Sequence, residues 1–203
     1  MSVLTEKDLW FPNYIWSATL DSVDNTAIKE YGLKQIDKAM DDPFAPKERP
    51  WFTADNLVLD DCDALAHLKS IIDDCMLTVA DEVGLHPVQL YNIWINKNPP
   101  GVANPPHTHT HHDGRLGAIF SGVYYVEADP ELDQGDIVFE RADRAEMSLP
   151  YPHIKRHTPY TAHQAQYKSS TNDLYIFSSW IPHRVTTNNS NKDRFSISFN
   201  YGV

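Results

Sequence analysis

The chain has 203 residues, suits one domain with a closed core, and carries a formal net charge of −11 at neutral pH. That charge argues against nucleic acid as a partner, because phosphate binding needs a basic face. Hydrophobic residues at 41% and charged residues at 22% exclude a disordered composition. No apolar run approaches the roughly 18 residues of a membrane span. The opening residues, MSVLTEKDLWF, have no apolar signal core. The two cysteines, Cys62 and Cys75, supply no disulfide framework and read as reduced thiols. A cytoplasmic protein without a membrane partner is expected.

In chain order, Trp10, Phe11, Tyr14 and Trp16 form an aromatic strip, read as a strand or turn folded onto the chain's own sheet. From Asn25 to Met40, apolar residues at Ile28, Tyr31, Ile36 and Met40 predict a helix capped by Asp24 or Asn25 and ended before Pro43. A proline-rich loop, DDPFAPKERPWF, follows. Leu65, Leu68, Ile72, Cys75, Met76, Val79 and Val83 then recur at three- and four-residue steps, with acids at the start and Gly84 as the stop. Cys75 is expected as a small buried hydrophobe on that helix. After GLHP the period changes to two. VQLYNIWIN (88–96), IFSGVYYVE (119–127), GDIVFE (135–140), DLYIFSSW (173–180) and RFSISFNY (194–201) read as strands. The expected architecture is one mainly β domain over residues 1–203. A helical support segment spans 1–86 and a jelly-roll core spans 87–203. The stretch 141–172 shows little periodicity, and an irregular segment of about thirty residues is read as a lid-like loop.

Four of the ten histidines fall within PPHTHTHHDG, at positions 107, 109, 111 and 112. On a strand, residues two apart share a face, so His107 and His109, or His109 and His111, can aim two imidazoles at one point. Imidazole is a common ligand of iron, zinc, copper and nickel. The distal candidate is His183, which follows the strand DLYIFSSW in SSWIPHRV. Two ligands from one strand and one from far downstream occupy one face of an octahedron and leave three positions open. Asp113 complicates the assignment: it makes a second pair, His111-x-Asp113, and is also a good turn residue before Gly114. His153, His157 and His163 are expected to face solvent.

Arg194 lies eleven residues after His183. In RFSISFNY, Arg194, Ser196, Ser198 and Asn200 share one strand face, and Phe195, Ile197, Phe199 and Tyr201 the other. The apolar face should pack on the helices and the polar face should look into the barrel. A buried guanidinium needs an anionic partner. Its fork suits a carboxylate, and a hydroxyl two residues on can bond the same group. The rival reading is an internal salt bridge to one of the 28 acids.

Taken in order, NIWINKNPPGVANPPHTH, SGVYYV, GDIVFE, YIFSSWIPHRV and DRFSISFN resemble the 2-oxoglutarate- and Fe(II)-dependent oxygenase superfamily. More closely they resemble uncharacterised members from marine bacteria and cyanobacterial phages. The resemblance runs from about Trp51 to Asn200. It implies a double-stranded β-helix, Fe(II) as the metal and 2-oxoglutarate as cosubstrate. It places His107 as first ligand, His183 as distal ligand, and Arg194 with Ser196 on the far carboxylate of 2-oxoglutarate. Tyr124 of SGVYY resembles a tyrosine that some relatives use on the same carboxylate. One departure stands out: the position expected to hold Asp is His109. A three-histidine site of His107, His109 and His183, Asp113 reaching in as the acid, or a frame shifted to His111-x-Asp113 all remain open, with the first preferred.

The resemblance implies a dioxygenase that hydroxylates a small-molecule or peptide substrate with release of succinate and CO2, the 141–172 loop closing over it. The rivals are a cupin-like three-histidine metalloenzyme without 2-oxoglutarate, and a non-catalytic jelly-roll module that binds a small acid or sugar. Neither the substrate nor the oligomeric state is legible.

Overall fold

The computed structural model describes residues 11–41, 52–54, 57–110, 117–143, 152 and 154–202. In chain order the elements are β1 (Ile15–Thr19), α1 (Asn25–Asp41), β2 (Phe52–Ala54), α2 (Asp63–Glu82), β3 (Gln89–Asn98), β4 (Asn104–His107), β5 (Ala118–Glu127), β6 (Ile137–Glu140), β7 (Gln164–Tyr167), β8 (Asp173–Ser178), β9 (His183–Val185) and β10 (Arg194–Gly202). They form two antiparallel sheets. The larger has the order β1-β8-β5-β10-β3-β2 and the smaller β4-β9-β6-β7. This is a mainly β, double-stranded β-helix with flanking N-terminal helices.

The helices form where the periodicity places them. Asp24 Oδ1 accepts the Ala27 amide at 3.0 Å, so Asp24 caps α1. Asn25 is thereby free to bond elsewhere. α1 lays Ile28, Tyr31, Gly32 and Ile36 on the large sheet, while Met40, expected on that face, is 52% exposed. α2 buries Leu65, Leu68, Ile72, Met76, Val79 and Ala80. Gly84, at φ +75°, turns the chain out, and the Leu85 amide closes the end on Ala80 O at 2.8 Å. Cys62 is buried, whereas Cys75 is only half-buried at the edge of the same core, and both are free thiols. Complete burial of a Leu or Ile side chain stabilises by about 1.5–3 kcal/mol, so this face holds both helices to the sheet.

β10 divides the interior. Phe195, Ile197, Phe199 and Tyr201 join the helix-side core. Arg194, Ser196, Ser198 and Asn200 line the space between the sheets. A second, smaller apolar cluster around Val123, Tyr125, Phe139 and Phe177 fills the rest of that space.

Three expectations change. IWSAT pairs with β8, in line with a strand folded onto the chain's own sheet, but Phe52–Ala54, at the end of the expected proline-rich loop, pairs with β3 and extends the large sheet. The 141–172 stretch contains β7, which pairs with β6. Finally, the histidine run is strand only up to His107. Among the described residues no helix is long and apolar enough to cross a membrane.

Candidate metal centre

β4 and β9 bring the first two histidines together. His107 stands opposite His183 in the antiparallel register, with ring centroids 4.3 Å apart. His109 lies past the end of β4, so strand alternation does not aim it. Its backbone amide donates to Ser179 O at 2.9 Å, and its ring stacks on Trp94 at 5.7 Å. These two contacts turn the ring to within 5.1 Å of both His107 and His183. One ring nitrogen from each of the three histidines lies within 4.8 Å of the others.

The tautomers of two of these histidines are fixed by carbonyls. Nδ1 of His107 sits 2.8 Å from Pro105 O, and Nδ1 of His183 sits 3.0 Å from Ile181 O. A carbonyl only accepts, so each Nδ1 carries the proton and each Nε2 keeps its lone pair. His183 is 4% exposed. Burial, then the neighbouring His107, push its pKa down to about 3 against the pull of the Ile181 carbonyl. A neutral imidazole with a fixed tautomer is a ready metal ligand, and three of them suit Fe(II), Zn(II), Cu(II) or Ni(II). The residues therefore fit a mononuclear metal.

The metal centre opens on a cavity of about 630 Å³ between the sheets. The β10–β3 register works as a ruler along it: Arg194 pairs with Asn98, Ser196 with Asn96, Ser198 with Trp94 and Asn200 with Asn92. Arg194 is 2% exposed. Its Nη1 donates to Gly135 O at 2.6 Å and its Nη2 to Asn98 Oδ1 at 3.0 Å, while Nε has no partner. The guanidinium stands 5.6 Å over the Tyr125 ring. Burial lowers its pKa, opposed by Tyr125 and by the charge of Asp136. Asp136 itself is engaged with Gln166 at 2.7 Å and Lys168 at 3.4 Å. Among the described residues, then, no carboxylate forms a salt bridge with Arg194. The Ser196 hydroxyl lines the same end of the cavity.

A family model described as "Putative 2OG-Fe(II) oxygenase" matches residues 92–200, the stretch that holds all three histidines, Arg194 and Ser196. The chain belongs to this oxygenase family. Solved structures share its fold. A Pseudomonas putida prolyl-4-hydroxylase is 14% identical, with 94% of this chain and 92% of that one covered, at a TM-score of 0.62. The viral collagen prolyl hydroxylase of Paramecium bursaria Chlorella virus-1, in its 2-oxoglutarate complex, is 9% identical over 94% and 96%, at 0.63. HygX from Streptomyces hygroscopicus, with nickel, 2-oxoglutarate and hygromycin B bound, is 13% identical over 93% and 82%, at 0.61. No curated protein matches the sequence.

In this oxygenase one expected site residue is out of place. The Tyr124 hydroxyl bonds Asn25 Oδ1 at 2.9 Å and Asn172 Oδ1 at 3.3 Å, inside the helix-side core. The structure does not bring it to the cavity. Burial raises its pKa to about 12. Its neighbour Tyr125 points the other way, beside Arg194, with its own pKa raised by burial to about 12. Asp113 and His111 lie outside the described residues, as does His153. His157 is exposed and His163 half-buried. Arg141, at the start of the expected lid, donates to Tyr160 O at 2.6 Å and Ala162 O at 3.1 Å, and so ties that segment to itself.

Sequence reasoning missed Asn98, Trp94 and Tyr125. For the first two the signal was present. Asn92, Trp94, Asn96 and Asn98 alternate along β3 and form the polar half of its period.

Proposed function

We propose that this oxygenase works through a single iron held by His107, His109 and His183, as a three-histidine metalloenzyme of cupin-like build. The donor set carries the reading: among the described residues, the group able to share one ion is three imidazoles and no carboxylate. Iron bound there supplies the activation of dioxygen. The Pro105 and Ile181 carbonyls hold the His107 and His183 rings in one tautomer, and Trp94 backs the third ring. Phe139 and Phe177 pack on His183, at 6.1 and 4.7 Å, and keep water from that side. The whole chain acts as one domain in the cytoplasm, and its nearer kin are the marine-bacterial and phage members.

A second reading adds 2-oxoglutarate as cosubstrate and hydroxylation, with release of succinate and CO2, as the reaction. Arg194 favours it. A buried guanidinium with a donor left over and, among the described residues, no carboxylate partner suits the distal carboxylate of a dicarboxylic oxo acid. The viral hydroxylase and HygX structures both contain 2-oxoglutarate.

Titration under argon separates the readings. Fe(II) binding at one per chain, followed by a weak visible charge-transfer band on adding 2-oxoglutarate, supports the cosubstrate. Stoichiometric iron without the band supports the three-histidine enzyme acting without it. Absence of stoichiometric iron overturns both and leaves a ligand-binding module.

A further inference from the structure

The cavity extends to both sides of the metal level. His109 stacks on Trp94, whose β10 partner is Ser198. At about 3.3 Å per residue, Arg194 lies four residues, about 13 Å, to one side along β10, and Asn200 lies two residues, about 7 Å, to the other. The Arg194 end holds the charge. The Asn200 end holds none.

That neutral end is wired in one direction. Ser121 Oγ donates to Asn200 Oδ1 at 2.6 Å, and Asn200 Nδ2 donates to Asn92 Oδ1 at 2.8 Å. Asn92 therefore turns its NH2 outward, and that group has no partner among the described residues. At the metal level itself, Ser198 Oγ accepts from Asn96 Nδ2 at 3.0 Å, Asn96 standing one pair beyond that level toward Arg194. This leaves the Ser198 proton and the Asn96 carbonyl oxygen available. The wall thus offers two donors and an acceptor next to the half-buried Trp94 ring. Among the described residues the cavity lining contains no carboxylate and no lysine, and Arg194 is its one arginine.

Resting on the metal reading above, we infer that the Asn92–Asn96–Ser198–Asn200 wall is the substrate subsite and that it selects an uncharged, hydroxyl-rich substrate of the sugar or polyol class. Each hydroxyl of such a molecule both donates and accepts, which matches a wall of mixed polarity. The C–H face of the ring suits the indole. A cationic substrate finds no counter-charge there. An anionic one is drawn to the Arg194 end instead, away from this wall.

The test is calorimetry on the full chain, with and without one Fe(II), under argon. The neutral probes are methyl glucoside, sucrose and myo-inositol. The charged probes are glucosamine and glucuronate, and a blocked dipeptide amide serves as the amide probe. At least one neutral polyol binds at least tenfold more tightly than the charged and amide probes. Asn92→Ala weakens it on the order of tenfold, the loss of one hydrogen bond. Asn92→Asp moves the preference to glucosamine, which a merely structural role for Asn92 would not do. Iron stoichiometry, measured separately, is the same in both variants. Preference for a charged or amide probe, no binding by any neutral polyol, or no effect of either substitution overturns the substrate class. If the wild-type chain takes no iron yet still binds the polyol, the subsite stands and the metal reading alone fails.

Discussion

Arg194→Met separates the acid socket from the metal. The substitution keeps length and packing but removes the charge. In the folded protein the guanidinium makes two bonds, to Gly135 O and Asn98 Oδ1, from a position 2% exposed. Gly135 O keeps the Ser169 hydroxyl as a donor, so the loss leaves one buried acceptor, Asn98 Oδ1, short of a donor, at about 1–3 kcal/mol. Against that, a buried cation without a carboxylate partner carries a desolvation penalty of several kcal/mol, which Met abolishes. The opposing effects are of similar size, so the denaturant midpoint shifts little. Binding has no such compensation. A carboxylate seated on Arg194 gains about 1.5–3 kcal/mol per charge-assisted bond, so loss of the guanidinium lowers affinity by roughly 10- to 100-fold or more. The assay compares 2-oxoglutarate with 2-oxopentanoate, which has the same chain but no distal carboxylate, on the Fe(II)-loaded protein under argon. The wild type prefers 2-oxoglutarate by roughly that factor and the variant shows no preference, while both keep one iron. A preference that survives Arg194→Met, or is absent in the wild type, refutes the role given to Arg194.

The two adjacent tyrosines should part company. Tyr124→Phe loses the bond to Asn25 and lowers stability by about 1 kcal/mol without touching acid binding, whereas Tyr125→Phe weakens acid binding and leaves the urea midpoint nearly unchanged. Reversal of that pattern would put Tyr124 back at the site. Gly122→Ala should lower the urea midpoint, because a Cβ there would stand 2.2 Å from Phe199 Cζ and 2.8 Å from Tyr175 O; overpacking of this kind costs about 1–3 kcal/mol. A midpoint equal to that of the wild type would show that β5 can shift. The metal-free chain should also lose stability in acid. His183 titrates near 3 when folded and at 6.5 when unfolded, so between those values the unfolded chain holds a proton that the folded one refuses. Stability then falls as the pH drops, by about 1.4 kcal/mol per unit. His183→Gln flattens that slope, and an equal slope in the variant would assign the acid sensitivity to other groups.

The parts of the fold legible in the sequence are those with one polar and one apolar face. β10 is the clearest. Its alternation of Arg194, Ser196, Ser198 and Asn200 with four large hydrophobes separates a cavity face from a core face, and the structure realises both. α2 reads equally well from its three- and four-residue steps. β5 does not. Helices cover one of its faces and the small sheet covers the other, so SGVYYV is apolar throughout and gives no parity. The resemblance pointed to Tyr124, whereas Tyr125 is the one that lines the cavity, and an apolar run of this kind offers no period by which to tell the two apart. β7, QAQY, was missed for the opposite reason: it is a short, polar edge strand without an apolar period. His109 was assigned to the site by strand alternation, yet it sits past the strand end and is turned inward by Ser179 and Trp94. Neither partner is near it in sequence.

Among the described residues the histidine cluster includes no carboxylate, which changes how a bound metal's charge would be handled. A ligand set with one acid would cancel part of a bound dication, but three neutral imidazoles cancel none of it. The cavity wall does not help, since among the described residues no Asp or Glu lines it and Arg194 adds a further positive charge. Loaded with Fe(II), the centre would hold three uncompensated positive charges in a space partly shut off from water, where charges interact more strongly than in bulk. A neutral substrate cannot relieve this, and a monoanion relieves it at one place only. A dianion with a chelating head and a distal carboxylate answers both the metal and the guanidinium. A three-histidine centre would thus depend more on an anionic co-ligand, and the unpartnered Nε of Arg194 is where the far end of such a ligand would lie. The anion and the metal would then belong to one binding equilibrium, in which each would raise the affinity for the other by the same factor.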